Sequence, residues 1–207
     1  MWPIQALFAT MLNINLFQYL AAFITIVLAI ALTDLLGSLH RLIVARRRVR
    51  WSVLPLLAAG FVFISVISEF FSIWVVADVA RISFLYLLLL VAVPSLLALA
   101  AFAVLPDDVP AAGLDLEKFY MENHVYLYAT LAVDFAGDLI RTTVHAYLVK
   151  GTHLWTNPKF VAHIAPSLVL IAAFVLLAWS KDRRVHIAGL LAFFVYSFVA
   201  YLGWTAG

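Results

Sequence analysis

The feature that most constrains this chain is a series of long apolar segments. Hydrophobic residues make up 66% of its 207 positions and charged residues only 12%, and the mean hydropathy is +1.08. A soluble domain of this size cannot bury so much apolar surface. Because the apolar runs are continuous rather than alternating, they predict membrane-spanning helices and not the strands of a barrel.

Six segments reach the roughly 20 apolar residues that a helix needs to cross a bilayer. They cover residues 17–44, 51–77, 84–105, 123–149, 160–180 and 186–204. The sequence therefore predicts an all-α integral membrane protein with six transmembrane helices in a single domain, residues 1–207. Residues 1–16 are too short to cross and are expected to form an interfacial N-terminal segment. Residues 106–118 are expected to form a cytoplasmic linker.

A cluster of arginines predicts which way the chain crosses the membrane. Residues 46–50 hold four arginines between the first two spans, and Lys and Arg are retained on the cytoplasmic side of membranes. Placing this loop inside puts both termini outside. It also leaves few basic residues in the outer loops. The lipid bilayer is thus the expected partner, and the cytoplasmic (inner) membrane of a prokaryote the expected location.

Two strings of the pattern D-x-x-G-x-x-x-R indicate an internal duplication. The first holds Asp34, Gly37 and Arg41, and the second holds Asp134, Gly137 and Arg141. Two halves of three spans, residues 17–105 and 119–204, would run in opposite directions, which is an inverted repeat of the kind common in transporters. The alternative is chance agreement of three positions.

Glycine and proline residues inside the spans predict where helices pack closely or bend. Gly37 and Gly137 would permit close helix contact or act as hinges. Pro94 and Pro166 would kink the third and fifth spans.

The fourth span carries a stripe of polar side chains. Asp134, Asp138, Arg141 and His145 are spaced i, i+4, i+7 and i+11, which places them within roughly 60° of one another around a helix. A charged residue at the centre of a membrane helix costs about 2.5–3.5 kcal/mol. The stripe is therefore expected to face the protein interior or water.

The polar residues favour transport of protons, small ions or a small solute, through a channel or a transporter. Asp34 and Asp134 are expected to meet at mid-depth, where two carboxylates in a low dielectric can carry a proton or a small cation. Arg41 and Arg141 would guard the two approaches, with Glu69 of the second span also lining the route. The structural alternative is that these groups only pair with one another.

Two other functions stay open. A membrane-embedded enzyme acting on a lipid-like substrate would use Asp134, Asp138 and His145 for acid–base or metal chemistry. A non-catalytic scaffold subunit would need no chemistry. His145 and His163 are the candidate metal ligands, although no histidine motif with metal-ligand spacing is present.

Composition narrows the expected partners. The absence of cysteine excludes disulfides and thiolate metal sites. No cofactor and no nucleic-acid partner are expected. Six helices form a thin bundle, which is compatible with assembly into a homo-oligomer.

Overall fold

The molecule is built almost entirely of α-helices. The computed structural model describes the backbone of residues 3–73, 83–150 and 158–202, and the side chains of residues 17–73, 83–148, 160–162 and 164–197. The six helices of this described part are α1 (Pro3–Val44), α2 (Val53–Ser72), α3 (Phe84–Val104), α4 (Leu116–Lys150), α5 (Pro158–Trp179) and α6 (Arg183–Leu202). The all-α prediction is therefore confirmed.

Four helices of the described part are long and apolar enough to cross a membrane. They are Phe17–Val44, Val53–Ser72, Phe84–Val104 and Phe160–Trp179, and they match the first, second, third and fifth predicted spans. α4 and α6 cover the other two predicted spans but do not meet the same criteria within the described residues. These helices are those of a membrane protein, while crossing by α4 and α6 stays a prediction.

The first helix is much longer than a bilayer is thick. α1 runs for 42 residues, about 63 Å at 1.5 Å per residue, against a hydrocarbon core of about 30 Å. The expected N-terminal segment is not a separate element, because the helix already begins at Pro3 and continues without a break into the first apolar span.

Three connections meet at one end of the bundle, here called the loop end: those between α1 and α2, α3 and α4, and α5 and α6. Two short strands, β1 (Val49–Arg50) and β2 (Leu114–Asp115), pair in parallel there. Glu117, in the first turn of α4, accepts a hydrogen bond from Ser52 at 3.1 Å and lies 3.4 Å from Arg183. The three connections that the sequence places on the cytoplasmic side thus lie together.

Aromatic rings fill the middle of the bundle. The aromatic cluster consists of Phe61 of α2, Tyr128 and Phe135 of α4, Phe174 of α5 and Phe193 of α6, and its ring centroids lie 4.7 to 6.5 Å apart. Aromatic pairs at such distances add to the stabilisation from buried area. The cluster therefore ties α2, α4, α5 and α6 together across the bundle axis.

The two glycines that were expected to permit close packing have different surroundings. A Cβ atom at Gly137 would lie 3.1 Å from Cγ2 of Val93 in α3, whereas one at Gly37 would meet only Nη1 of Arg41 at 3.4 Å. Of these two glycines, Gly137 is therefore the one in close contact with another helix. The two prolines expected to cause kinks lie inside α3 and α5, and both helices continue through them.

Candidate functional site

A polar cavity of about 480 Å³ lies among α2, α3, α4, α5 and α6. Its polar lining comprises Ser65, Ser68, Glu69, Ser72, Tyr86, Asp134, Asp138, Arg141, Thr142, His145, Ser167, Tyr196 and Ser197, and Pro166 also borders it. The four residues of the predicted stripe on α4 are all present, together with Glu69. The expectation that the stripe faces the protein interior is therefore met.

The cavity lies in the half of the bundle opposite the loop end. Glu69 and Ser72 belong to the last turn of α2, Tyr86 to the first turn of α3 and Ala162 to the beginning of α5. Phe61 of the aromatic cluster forms part of the wall on the other side. The aromatic rings thus separate the cavity from the loop end.

One arginine connects two carboxylates across the cavity. Both terminal guanidinium nitrogens of Arg141 donate to Glu69, with Nη2 at 2.9 Å from Oε2, and Nη2 also lies 2.6 Å from Oδ1 of Asp138. Ser72 joins the network, because its hydroxyl donates to Glu69 at 3.0 Å and accepts from Arg141 at 3.2 Å. Such a forked pair is geometrically specific. It fixes α2 and α4 relative to each other.

Half of this network could be read from the sequence. The i,i+3 pairing of Asp138 with Arg141 follows from helical spacing. The bond to Glu69 links residues 72 positions apart, so spacing within one helix cannot predict it. The available signal was that Glu69 is the sole carboxylate in its apolar segment, where an unpaired charge would be costly.

The carboxyl group of Asp134 is buried and incompletely bonded. The residue is 5% exposed, and its Oδ1 atom has no hydrogen-bond partner among the described residues. Its charged neighbours are Glu69 and Asp138, which repel a negative charge, and Arg141, which attracts one. The hydrogen bonds that Arg141 makes go to the other two carboxylates and to Ser72. A buried acceptor without a donor costs about 1–3 kcal/mol, so this oxygen is a favourable place for a proton or a cation.

The structure does not bring Asp34 to Asp134. The charged groups acting on Asp34 are Asp107 and Arg41, and no described residue of α1 lines the cavity. Arg41 donates to Ser38 at 2.9 Å and lies 3.8 Å from Asp107 near the loop end. The predicted meeting of the two carboxylates is therefore wrong, because α1 packs against α2 and α3 while α4 packs against α3 and α5. A role of Asp34 and Arg41 in lining a transport pathway stays a prediction.

His145 lies at the cavity wall beside a tyrosine. Its Nδ1 atom is 3.3 Å from the hydroxyl of Tyr86 in α3, a partner that the sequence did not indicate. The side chain of His163, its expected partner at a metal, lies outside the described residues. Among the side chains that the structure describes, no group of three or more His, Cys, Asp or Glu could hold a metal ion.

A second polar cluster, which sequence analysis missed, lies on the loop-end side of the aromatic rings. The hydroxyl of Tyr120 is 2.7 Å from the hydroxyl of Tyr128 and 2.7 Å from Nδ1 of His186, and Nε2 of His186 is 2.9 Å from the carbonyl oxygen of Ser180. A carbonyl only accepts, so the neutral ring carries its proton on Nε2 and Tyr120 donates to Nδ1. The spacing of Tyr120 and Tyr128, about two helical turns apart, was the sequence signal that could have placed both hydroxyls on one face of α4.

No model of a known protein family, no curated protein and no solved structure matches this chain.

Proposed function

We propose that this chain is a small membrane transporter that binds a proton, a small cation or a small solute in the polar cavity. Asp134 is the group that takes up the proton or cation. The observation that carries the proposal is the buried Oδ1 atom of Asp134, which has no hydrogen-bond partner among the described residues and lies at the wall of that cavity. An intramembrane ionisable group of this kind is the usual mark of an ion pathway.

The aromatic cluster favours a transporter over an open channel. Its rings lie between the cavity and the loop end, and two of them, Phe61 and Phe135, form part of the cavity wall. Transport would require the rings to separate while the opposite side closes, which is alternating access.

The proposal includes all six helices as spans, with both termini outside and the loop end in the cytoplasm. Support comes from the arginines of residues 46–50 and from Lys181, which lie in loop-end connections, and from Arg183 and Arg184 in the first turn of α6. Asp134, Asp138 and Arg141 of α4 do not oppose insertion, because they line the cavity. The cytoplasmic membrane of a prokaryote and a homo-oligomer fit this arrangement.

The inverted repeat has less support than the spans. Arg141 is bound to two carboxylates inside the cavity, whereas Arg41 bonds to Ser38 and lies near the linker residue Asp107. The two D-x-x-G-x-x-x-R strings therefore have unlike surroundings. The transport proposal does not depend on the duplication.

A scaffold subunit is the second candidate function. It draws support from the pairing of Glu69 with Arg141, both of which are 9% exposed at the side chain. A pair of this kind satisfies its own charges and needs no ligand. Asp134 distinguishes the two candidate functions. A purely structural network does not explain why the buried Oδ1 atom of Asp134 lacks a hydrogen-bond donor within the described part of the chain.

The decisive experiment compares Asp134→Asn with the wild type in liposomes. Proton and alkali-cation fluxes are measured with internal dyes under imposed pH and salt gradients. We expect flux through the wild type and only the rate of protein-free liposomes through the variant, because an amide cannot take up a proton or neutralise a cation. Asp108→Asn is the matched control, since it removes an exposed carboxylate of the linker.

Two outcomes count against the proposal. Equal flux through the wild type and Asp134→Asn would remove Asp134 from the pathway. No flux of any tested ion through a folded wild-type protein would favour the scaffold.

A further inference from the structure

Three consecutive arginines stand unpaired where α1 ends. Arg46, Arg47 and Arg48 form a single 3-10 turn, and all three are exposed. Among the described residues, none of the three forms an ion pair, whereas Arg50 lies 3.1 Å from Asp115. Three guanidinium groups on one turn repel one another unless an anion lies between them. This turn therefore carries uncompensated positive charge.

The turn borders a shallow concave space that is widely open to the surface. Arg47, Arg48 and Arg50 line one side, and the small residues 111–113 of the linker line the other. No carboxylate is among the described residues that line it. The space thus combines room for a small group with guanidinium donors, which bind phosphate in a bidentate manner.

The far wall of this space is held in a fixed position. β1 pairs with β2, and Gly113 lies directly beside Arg48. Gly113 has a φ of +94°, and a Cβ atom there would lie 3.0 Å from the carbonyl oxygen of Arg48. Any larger residue would strain the backbone and push the wall away. The strand pair and the close approach at Gly113 thus hold the linker beside the arginine turn.

Apolar side chains border the turn on both sides along the chain. Ile43 and Val44, in the last turn of α1, are 48% and 67% exposed, and Trp51, just after the arginines, is 42% exposed. Exposed aliphatic residues suit contact with acyl chains, and tryptophan is enriched at the headgroup level of membranes. In the proposed topology the arginines therefore lie at the level of the lipid phosphates.

We infer that this space binds the phosphate of an anionic phospholipid, with Arg47 and Arg48 as donors and the acyl chains along the end of α1. The excess of positive charge selects a lipid with net negative charge over a zwitterionic lipid, whose own cation would meet the same arginines. This site is separate from the cavity of the proposed transporter and goes beyond that function.

The test compares the wild type with Arg47→Gln/Arg48→Gln in phosphatidylcholine nanodiscs with and without phosphatidylglycerol. Binding is measured by titrating short-chain phosphatidylglycerol and following the thermal midpoint. At about 1 kcal/mol per basic residue, the double variant should bind roughly 30-fold more weakly. Lys181→Gln/Arg184→Gln, which removes two charges from the same face, should bind as the wild type does.

The remaining outcomes are equally informative. Equal weakening in both double variants would mean diffuse surface attraction and overturn the site. Equal stabilisation of the detergent-solubilised wild type by inorganic phosphate would mean a free-anion site and overturn the lipid assignment. No effect of phosphatidylglycerol on the wild type would overturn both the site and its assignment to a lipid. If the double variant does not fold, each single variant should bind about fivefold more weakly, and unchanged binding in both would also refute the site.

Discussion

Arg141 is the residue on which the electrostatics of the cavity depend. It forms ion pairs with both Glu69 and Asp138, and the carboxylate of Asp134 also lies near the same guanidinium. The pair with Glu69 is almost fully buried, while the side chain of Asp138 is 37% exposed. Removing one partner of a buried pair leaves the other charge uncompensated, which costs more than the pair itself contributes.

Arg141→Met should therefore destabilise the protein by about 3–5 kcal/mol. The free energy of unfolding in detergent, measured with denaturant, checks this value. Glu69→Gln/Arg141→Met should lose less than Arg141→Met alone, because no unpaired charge then remains at Glu69. Arg183→Met is the control: its exposed pair with Glu117 should be worth less than about 1 kcal/mol. Wild-type stability of Arg141→Met would contradict a structural role for the network.

At the scale of single elements, the two D-x-x-G-x-x-x-R strings allow the effect of a helix glycine on stability to be compared at Gly37 and Gly137. Gly137 lies against Val93, a 2%-exposed residue that borders the cavity, whereas Gly37 faces the flexible end of Arg41. Alanine favours the helix over glycine by about 1 kcal/mol when space allows. The same substitution should therefore have opposite effects in α1 and α4.

Gly137→Ala should destabilise by about 1–3 kcal/mol because the new methyl group crowds Val93. Gly37→Ala should be neutral or stabilising by up to about 1 kcal/mol. Thermal midpoints in detergent measure both effects. Gly137→Ala should cost less stability in a Val93→Ala background than in the wild type, and an equal cost in both backgrounds would show that the contact between α3 and α4 is not the cause.

The beginning of α4 is capped by Asp115. Its Oδ1 atom accepts hydrogen bonds from the backbone N–H groups of Lys118 and Glu117, both at 3.0 Å, and its Oδ2 atom accepts one from Arg50. The N–H of Lys118 is the main reason that the pKa of Asp115 lies below its usual range, with partial burial acting the other way and Arg50 adding to the lowering. Asp115 thus fixes the start of the helix that carries the cavity stripe.

Acid should weaken the fold through this cap. Because the pKa of Asp115 is lower in the folded state, its contribution is fully present above the unfolded pKa of about 3.9 and is lost as the pH falls through the folded value. Asp115→Asn keeps an acceptor for the helix N–H groups but cannot ionise. It should have a lower thermal midpoint at neutral pH and a shallower loss in acid than the wild type. Parallel pH curves for the two proteins would exclude Asp115 as a source of acid sensitivity.

At the scale of the whole molecule, the bundle has two unlike ends. The loop end gathers three connections and most of the arginines, and the opposite half contains the cavity. The aromatic cluster lies between the cavity and the cluster of Tyr120 and His186. The cavity and the arginine-rich loop end thus lie in opposite halves of the bundle.

The proposed topology can be tested directly because the chain has no cysteine. Single cysteines at Ser83, Ala112 and Lys181 mark the start of α3 and two loop-end connections. A membrane-impermeant maleimide added to intact cells should label Ser83→Cys, while Ala112→Cys and Lys181→Cys should react only after the membrane is opened. Labelling of Ala112→Cys and Lys181→Cys from opposite sides would mean that α4 and α5 do not both cross.

The sequence alone determined the helices and the faces of the helices. Apolar length set the six segments to within a few residues at most ends, since a backbone in lipid must satisfy its own hydrogen bonds. Helical periodicity placed Asp134, Asp138, Arg141 and His145 on one face. It could do so because the 3.6-residue repeat is a property of one helix and needs no knowledge of its neighbours.

Only the tertiary structure decided which faces meet. Periodicity gave Asp34 and Asp134 equivalent positions, yet α1 packs on the far side of α3 and Asp34 faces the linker, while Glu69 fills the place beside Arg141. The hydrogen bonds of Tyr120 with His186 were likewise invisible, because they join residues 66 positions apart. Helix neighbours are chosen by the sum of many packing contacts over the whole bundle, and no local pattern in one chain segment contains that sum.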